Sequence, residues 1–270
     1  MLTEKGVLDS VLENYQSATK QWAGTIQNHA TTLFLYLVGI SMVWNFIPLI
    51  FRRSSIAEFF GEMFRFLTFT GFYLWLLRNG PSIANAIIDS MRTVAGEATG
   101  GKTLYPSDII DIGFKVFHQA VGSISALSPI NSAGCLIISG LILFILALVA
   151  INMLLLLCSA WILAYAGIFF LGFGGSRWTS DMAINYFKTV LGVGVQLMTM
   201  TLIVGVGTGF INEYHAKMST AINMEEIGIL FVSALTLFML TDKLPAMVAG
   251  IINGASVGGM GVGSFGAGAA

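Results

Sequence analysis

An all-α, polytopic membrane protein with about five transmembrane helices is the fold class the sequence predicts, and three observations predict it. Of 270 residues, 56% are hydrophobic and only 10% charged, with a mean hydropathy of +0.81, well beyond what a soluble domain with a polar surface carries. Uncharged runs recur that approach or exceed the ~20 residues needed to cross a hydrocarbon core of ~30 Å, and residues 116–176 contain no Asp, Glu, Lys or Arg. The short polar stretches between those runs alternate in charge as topology demands. Thirteen basic against fourteen acidic residues leave a net charge of -1, so no global field draws in nucleic acid or an acidic surface.

Residues 1–30 begin "MLTEKGVLDSVLENYQ", which mixes acids with bases and has no apolar core. That is not a cleaved signal peptide, so the first span must itself direct insertion. Leu8, Val11, Leu12, Tyr15, Trp22 and Ile26 fall near one helical face, which predicts an amphipathic periplasmic helix. Transmembrane helices one and two occupy 31–77. The first, 31–51, is uncharged and ends at Arg52 and Arg53. The second, 59–77, is free of charge only over 66–77, so Glu62 and Arg65 must lie at the interface, three apart on one face, where they can pair.

Residues 78–133 read as a periplasmic helical segment. "NGPSIANAIIDSMRTV" starts with a Pro-bearing turn and carries Ile83, Ile87, Met91 and Val94 at helical spacing. A loop over 96–106 precedes a second helix, with Ser107 as N-cap and Ile110, Phe114, Phe117, Val121 and Ile124 as a packing stripe. Packing within the chain is the plainer use of that stripe; self-association or a partner is the other.

Transmembrane helices three to five occupy 134–252. Residues 134–173 are about twice as long as a bilayer core is thick, so they form either a hairpin or one long helix. Charge chooses between them. With Arg52 and Arg53 cytoplasmic, the N-terminus and 78–133 are periplasmic, and a single crossing makes Arg177 and Lys188 cytoplasmic. Residues 189–210 then return to a net acidic outer loop, 211–226, and 227–240 cross inward to Lys243. Five spans satisfy the positive-inside rule at every short loop. Within "GFGGSRWTSD" the glycines end a helix, Trp178 suits the interfacial belt, and Thr179, Ser180 and Asp181 can cap the next helix. Ala160 with Ala164 and Gly205 with Gly209 have the small-xxx-small spacing of helix packing. Residues 253–270 read as a Gly/Ala-rich flexible tail.

Chemistry is sparse. Cys135 and Cys158 lack metal-ligand spacing and read as packing. His29, His118 and His215 fall outside the confident spans, no pair of acids lies within a span, and Asn45, Asn152 and Gln196 suit hydrogen bonds between helices. No catalytic, cofactor-binding or metal residues are therefore expected, and no enzyme. Ion-coupled transport usually needs an ionisable group near the midplane, and only Glu62 and Arg65 approach that description.

"VLDSVLENYQSATKQWAGTI", "RRSSIAEFFGEMFRFLTFTGFYLWLLRNGP" and above all "FLGFGGSRWTSDMAINY" resemble the TrbL family of conjugative type IV secretion proteins, over nearly the whole chain. The resemblance implies a multi-pass protein of the Gram-negative inner membrane with a periplasmic N-terminus. It implies a channel and platform component that forms a homo-oligomeric ring, a pentamer by analogy, at the pilus base and supports pilus assembly and DNA–protein transfer. Pilin, the bitopic scaffold proteins and the ATPases of the machine are the implied partners, with phospholipid as a bound companion. In the matching block Gly172, Gly174, Gly175, Arg177 and Trp178 belong to a short cytoplasmic turn that would face the ATPases or the substrate; a turn serving topology alone is the alternative. Relaxase-bound single-stranded DNA would pass through, but the scattered basic residues and membrane-bound aromatics predict no specific DNA-binding site. Members commonly continue into a longer hydrophilic C-terminal region. The rival readings are a small-solute membrane permease and an inhibitory membrane protein that merely binds the machinery.

Overall fold

The computed structural model describes residues 7–51, 55–100, 105–122, 129–217 and 224–252. Arg52, Arg53, Ile124 and the tail 253–270 lie outside the described residues. All-helical architecture is what the structure has: α1 (Val7–Phe51), α2 (Ile56–Ala98), α3 (Pro106–Gly122), α4 (Pro129–Ala166), a 3₁₀ run (Gly167–Gly175), α5 (Ser180–Lys217) and α6 (Met224–Ile252). Four helical stretches are long and apolar enough to cross a membrane: α1, α4 with the 3₁₀ run, α5 and α6. The expected count of about five is close. The element that falls short is α2, whose apolar stretch is interrupted by Glu58, Glu62, Arg65 and Arg78.

The centre is α4, apolar on every side, as a helix surrounded by other helices must be. Its Ile142, Leu146, Val149, Met153 and Leu157 are fully buried, and α3, α6, α1 and α5 pack around it. The helix is unbroken through the middle of 134–173, so a hairpin there is excluded. By contrast α1 is peripheral: 17% of its most apolar stretch is buried, against 44% for α4 and the run after it. Leu35, Ile40, Val43, Ile47 and Ile50 face outward, which suits lipid. In the N-terminal part of α1, Leu8, Val11, Leu12 and Ile26 turn inward, whereas Tyr15 and Trp22 are exposed.

Two predicted rows are corrected by one helical position. In α3 the buried face is Ile109, Ile112, Gly113, Val116 and Ala120. Of the expected stripe, Ile110 and Phe117 are half-buried and Phe114 and Val121 are exposed. The reason is close approach: a Cβ on Gly113 would sit 2.8 Å from Leu143 Cδ1 and 3.3 Å from Leu143 Cα, so α3 meets α4 along its small residues. In α2 the buried row is likewise Gly80, Ala84, Ile88 and Ala95, beside rather than on Ile83, Ile87 and Val94. The N-cap expected of Ser107 is also absent. Its hydroxyl is buried without a partner, and Asp108 instead accepts from the Tyr105 N–H at 2.8 Å.

The Pro-bearing turn expected at Pro81 does not form, and α2 continues straight through it. Proline has no N–H for the Leu77 carbonyl. Gln27 on α1 supplies the missing donor, its amide reaching the Leu77 carbonyl at 3.2 Å and the Arg78 carbonyl at 3.1 Å. The partly buried bond to the carbonyl that proline leaves free ties α1 to α2.

Replacing Gln27 with Ala is expected to cost about 1 kcal/mol of stability, the usual net contribution of a hydrogen bond that is not fully buried. In a Pro81→Ala background, where the helix regains its own donor, the cost should shrink to a fraction. Unfolding midpoints of the four variants in one detergent measure this; equal effects in both backgrounds refute the pairing.

Candidate functional site

The segment that gathers the most unusual chemistry is the 3₁₀ run with the turn behind it. Nine residues are long for a 3₁₀ run, which rarely exceeds three or four, and glycine explains how this one is accommodated. A Cβ on Gly172 would lie 2.7 Å from the Ala30 carbonyl oxygen of α1, and one on Gly175 would collide with the Phe34 carbonyl oxygen. Gly174 lies against the Tyr73 ring of α2, and Gly167 against the Tyr186 ring of α5, 2.5 Å from where its Cβ would be. From the other side, Gly80 of α2 makes room for Leu171. Three helices therefore converge on one glycine-bearing run, each at a place where a side chain is missing.

The turn that follows is held by its own hydroxyls. Thr179 donates to the carbonyls of Phe173 and Ser176, and Ser180 donates to the Arg177 carbonyl at 3.0 Å. These groups face back into the turn, so the expected side-chain capping of α5 is replaced by satisfaction of the preceding carbonyls. Ser176 is buried, Arg177 is half-buried and Trp178 is exposed.

Arg177 meets Glu62 of α2, Nη2 to Oε1 3.4 Å, and its guanidinium carbon lies 5.9 Å from the Phe69 ring centroid. Here the sequence expectation is corrected: the partner of Glu62 is Arg177, not Arg65, which points outward. Arg65 is on the same helix three residues on, but the turn delivers Arg177 to the half-buried side of Glu62, where burial makes pairing necessary. Trp178 closes the far side, edge-on to Trp44 of α1 with centroids 5.2 Å apart.

The predicted turn residues are thus brought together, yet not as an exposed loop. Gly172, Gly174 and Gly175 are interior, and only Arg177 and Trp178 reach the surface. Ala160 and Ala164 are fully buried. Gly205 and Gly209 do not act as a pair: Gly205 admits Thr99 at the end of α2, whereas nothing lies near Gly209. The closest approach of α6 comes at Gly207, 2.5 Å between its would-be Cβ and Leu237 Cδ1. Sequence spacing alone missed Gln27 and Tyr73, whose partners, the Leu77 and Arg78 carbonyls and Gly174, lie far along the chain. Among the described residues no three of His, Cys, Asp and Glu gather as a metal site would require. What this arrangement does chemically is to fix a turn and present one arginine and one tryptophan.

Comparison with known proteins follows the same residues. A family model described as TrbL/VirB6 plasmid conjugal transfer protein matches residues 15–244. A probable conjugal transfer protein TrbL of Sinorhizobium fredii is 30% identical over 95% of this chain, and a conjugal transfer protein TrbL of Rhizobium radiobacter is 27% identical over 96% of it. The chain spans 66% of the length of each of these relatives.

Gly175→Ala should destabilise the protein by about 2 kcal/mol, because the added methyl must displace backbone rather than a flexible side chain. Gly209→Ala, into open space, should change stability by less than ~0.5 kcal/mol. Denaturant titration of both variants checks the contrast, and indistinguishable midpoints refute the glycine-limited packing.

Proposed function

The chain belongs to the TrbL/VirB6 plasmid conjugal transfer family, and from that premise we propose that it is an inner-membrane channel and platform component of a conjugative type IV secretion machine. The observation that carries the reading is the extent of the match, residues 15–244, which runs from within α1 to within α6 and includes the whole glycine-bearing run. The protein works as an assembly part. It forms a homo-oligomeric ring at the pilus base, supports pilus assembly, and gives passage to relaxase-bound single-stranded DNA. Pilin, bitopic scaffold proteins and the ATPases are its partners.

The peripheral position of α1, with its outward apolar row, fits a helix that contacts lipid or a neighbouring copy. Arg177 and Trp178, held rigidly against Glu62 and Trp44, are the parts of the turn available to a cytoplasmic partner. The paucity of ionisable groups in the spans fits a structural role in preference to catalysis. The second span is completed by α2, because pairing with Arg177 lowers the cost of holding Glu62 at the membrane boundary.

Topology is tested by cysteine labelling. A cysteine at Trp178, the exposed residue of the turn, is expected to react only from the cytoplasm and one at Lys217 only from the periplasm. Reaction of both from one side overturns the arrangement. Function is tested by mating assays with a deletion strain: transfer should fall to background and return with the gene, while the detergent-extracted protein runs as one multimeric species. Normal transfer without the gene sinks the proposed role, and a monodisperse monomer sinks the ring.

A further inference from the structure

The helices around α4 fall into two arcs of opposite character. On one side α2, α1 and α3 adjoin in that order; on the other, α5 and α6 adjoin and leave part of α4 uncovered beside them. The stretches 129–176, 189–210 and 227–241, which make up most of the second arc, hold no Asp, Glu, Lys or Arg. Their outward residues are apolar, with Val206 74%, Val232 60% and Phe144 60% exposed. The first arc is charged. Asp89 and Glu97 of α2 and Asp111 and Lys115 of α3 are exposed, and none has an ion-pair partner among the described residues. In the first half of α1, Asn14, Ser17 and Gln21 are exposed as well.

Both arcs occupy the same depth. In the crossing part of α5, a Cβ on Gly194 would lie 3.3 Å from Met91 Cγ of α2, and one on Gly205 would lie 2.5 Å from Thr99 Cγ2. The stretch of α2 that carries Asp89 and Glu97 is therefore level with the crossing part of α5, where Val206 faces outward. Likewise Gly113 of α3 meets Leu143 of α4, so Asp111 and Lys115 are level with Phe144. Val94 and Phe114 are exposed on the first arc too, but each lies within four residues of an unpaired charge. Unpaired charges are not held in hydrocarbon, and an apolar face of this extent is not left in water. One depth thus has water on one side of the molecule and lipid on the other.

We propose that each subunit sits in the ring with α2, α1 and α3 turned inward, where they line a water-filled lumen, and with α4, α5 and α6 turned outward to lipid. This orientation rests on the proposed ring. The second half of α2 and α3, expected in the periplasm, form part of the inner wall instead. Asp89, Glu97 and Asp111 outnumber Arg92 and Lys115 there, so the wall has no excess of cations with which to hold a polyanion.

The test uses the full chain in lipid nanodiscs, with single cysteines at Thr93 and Asp111 on one arc and at Phe144 and Val206 on the other. The native chain is the blank, because Cys135 and Cys158 are buried. The size of the complex is measured first, and a monomer removes the ring and this orientation with it. In the multimer, spin labels on Thr93→Cys and Asp111→Cys should be relaxed by a water-soluble nickel chelate, and those on Phe144→Cys and Val206→Cys by oxygen, which concentrates in lipid. A small maleimide should modify the first pair readily. A maleimide on a long polyethylene glycol should do so about tenfold more slowly, and the difference should vanish once detergent separates the subunits. Oxygen-dominated relaxation at Thr93 and Asp111 puts that arc in lipid and overturns the orientation. Equal rates for both maleimides in the intact multimer put it in open water, and no reaction with either puts it under a neighbouring copy; each overturns the lumen. All three of these failures leave the multimer standing, so loss of the orientation and loss of the ring are told apart.

Discussion

Contact of a glycine-bearing 3₁₀ run with the bare backbone of α1 is the constraint on which the arrangement of helices depends. At Gly172 and Gly175 the separation is too small for any side chain, so the run and α1 are in register at a spacing that only glycine permits. Everything nearby follows from that register. Tyr73 is seated over Gly174, and the turn beyond is aimed so that Arg177 reaches Glu62 and Trp178 reaches Trp44. A helix as little buried as α1 has few other holds on the body. Its remaining ties include the amide of Gln27 and the buried Phe34.

The helices themselves were legible, because hydropathy and length are local properties of the chain. The faces they use were less so. In both α2 and α3 the conspicuous apolar row lies about 100° away from the row that packs. Periodicity favours bulky side chains, whereas helices in an apolar medium gain most where small ones allow close approach. Gly113 and Ala120 in α3, and Gly80, Ala84 and Ala95 in α2, are the working positions. A sequence scan for small residues four or seven apart would have found them. It would have been misled by Gly205 and Gly209, of which only the first has a neighbour.

Long-range polar partnerships were the least legible part. Glu62 and Arg65 share a helix and invite pairing, yet the partner comes from residue 177, more than a hundred positions away. Pro81 read locally as a turn because proline in isolation breaks helices. It is tolerated because an amide fifty residues earlier in the chain takes over the lost bond. Such repairs depend on tertiary contact, and nothing within a window of a dozen residues announces them.

The pairing of α1 with the 3₁₀ run also sets an order of events during synthesis. Phe34 leaves the ribosome about 140 residues before Gly175, which at roughly 5–20 residues per second is an interval on the order of ten seconds. Throughout that interval the first helix has entered the bilayer without the surface that fixes its rotation and depth. It must wait as a laterally mobile rod, kept in place by its arginine-flanked end and by lipid. Nascent chains of this protein are therefore most exposed to quality-control proteases between the first insertion and the arrival of the glycines.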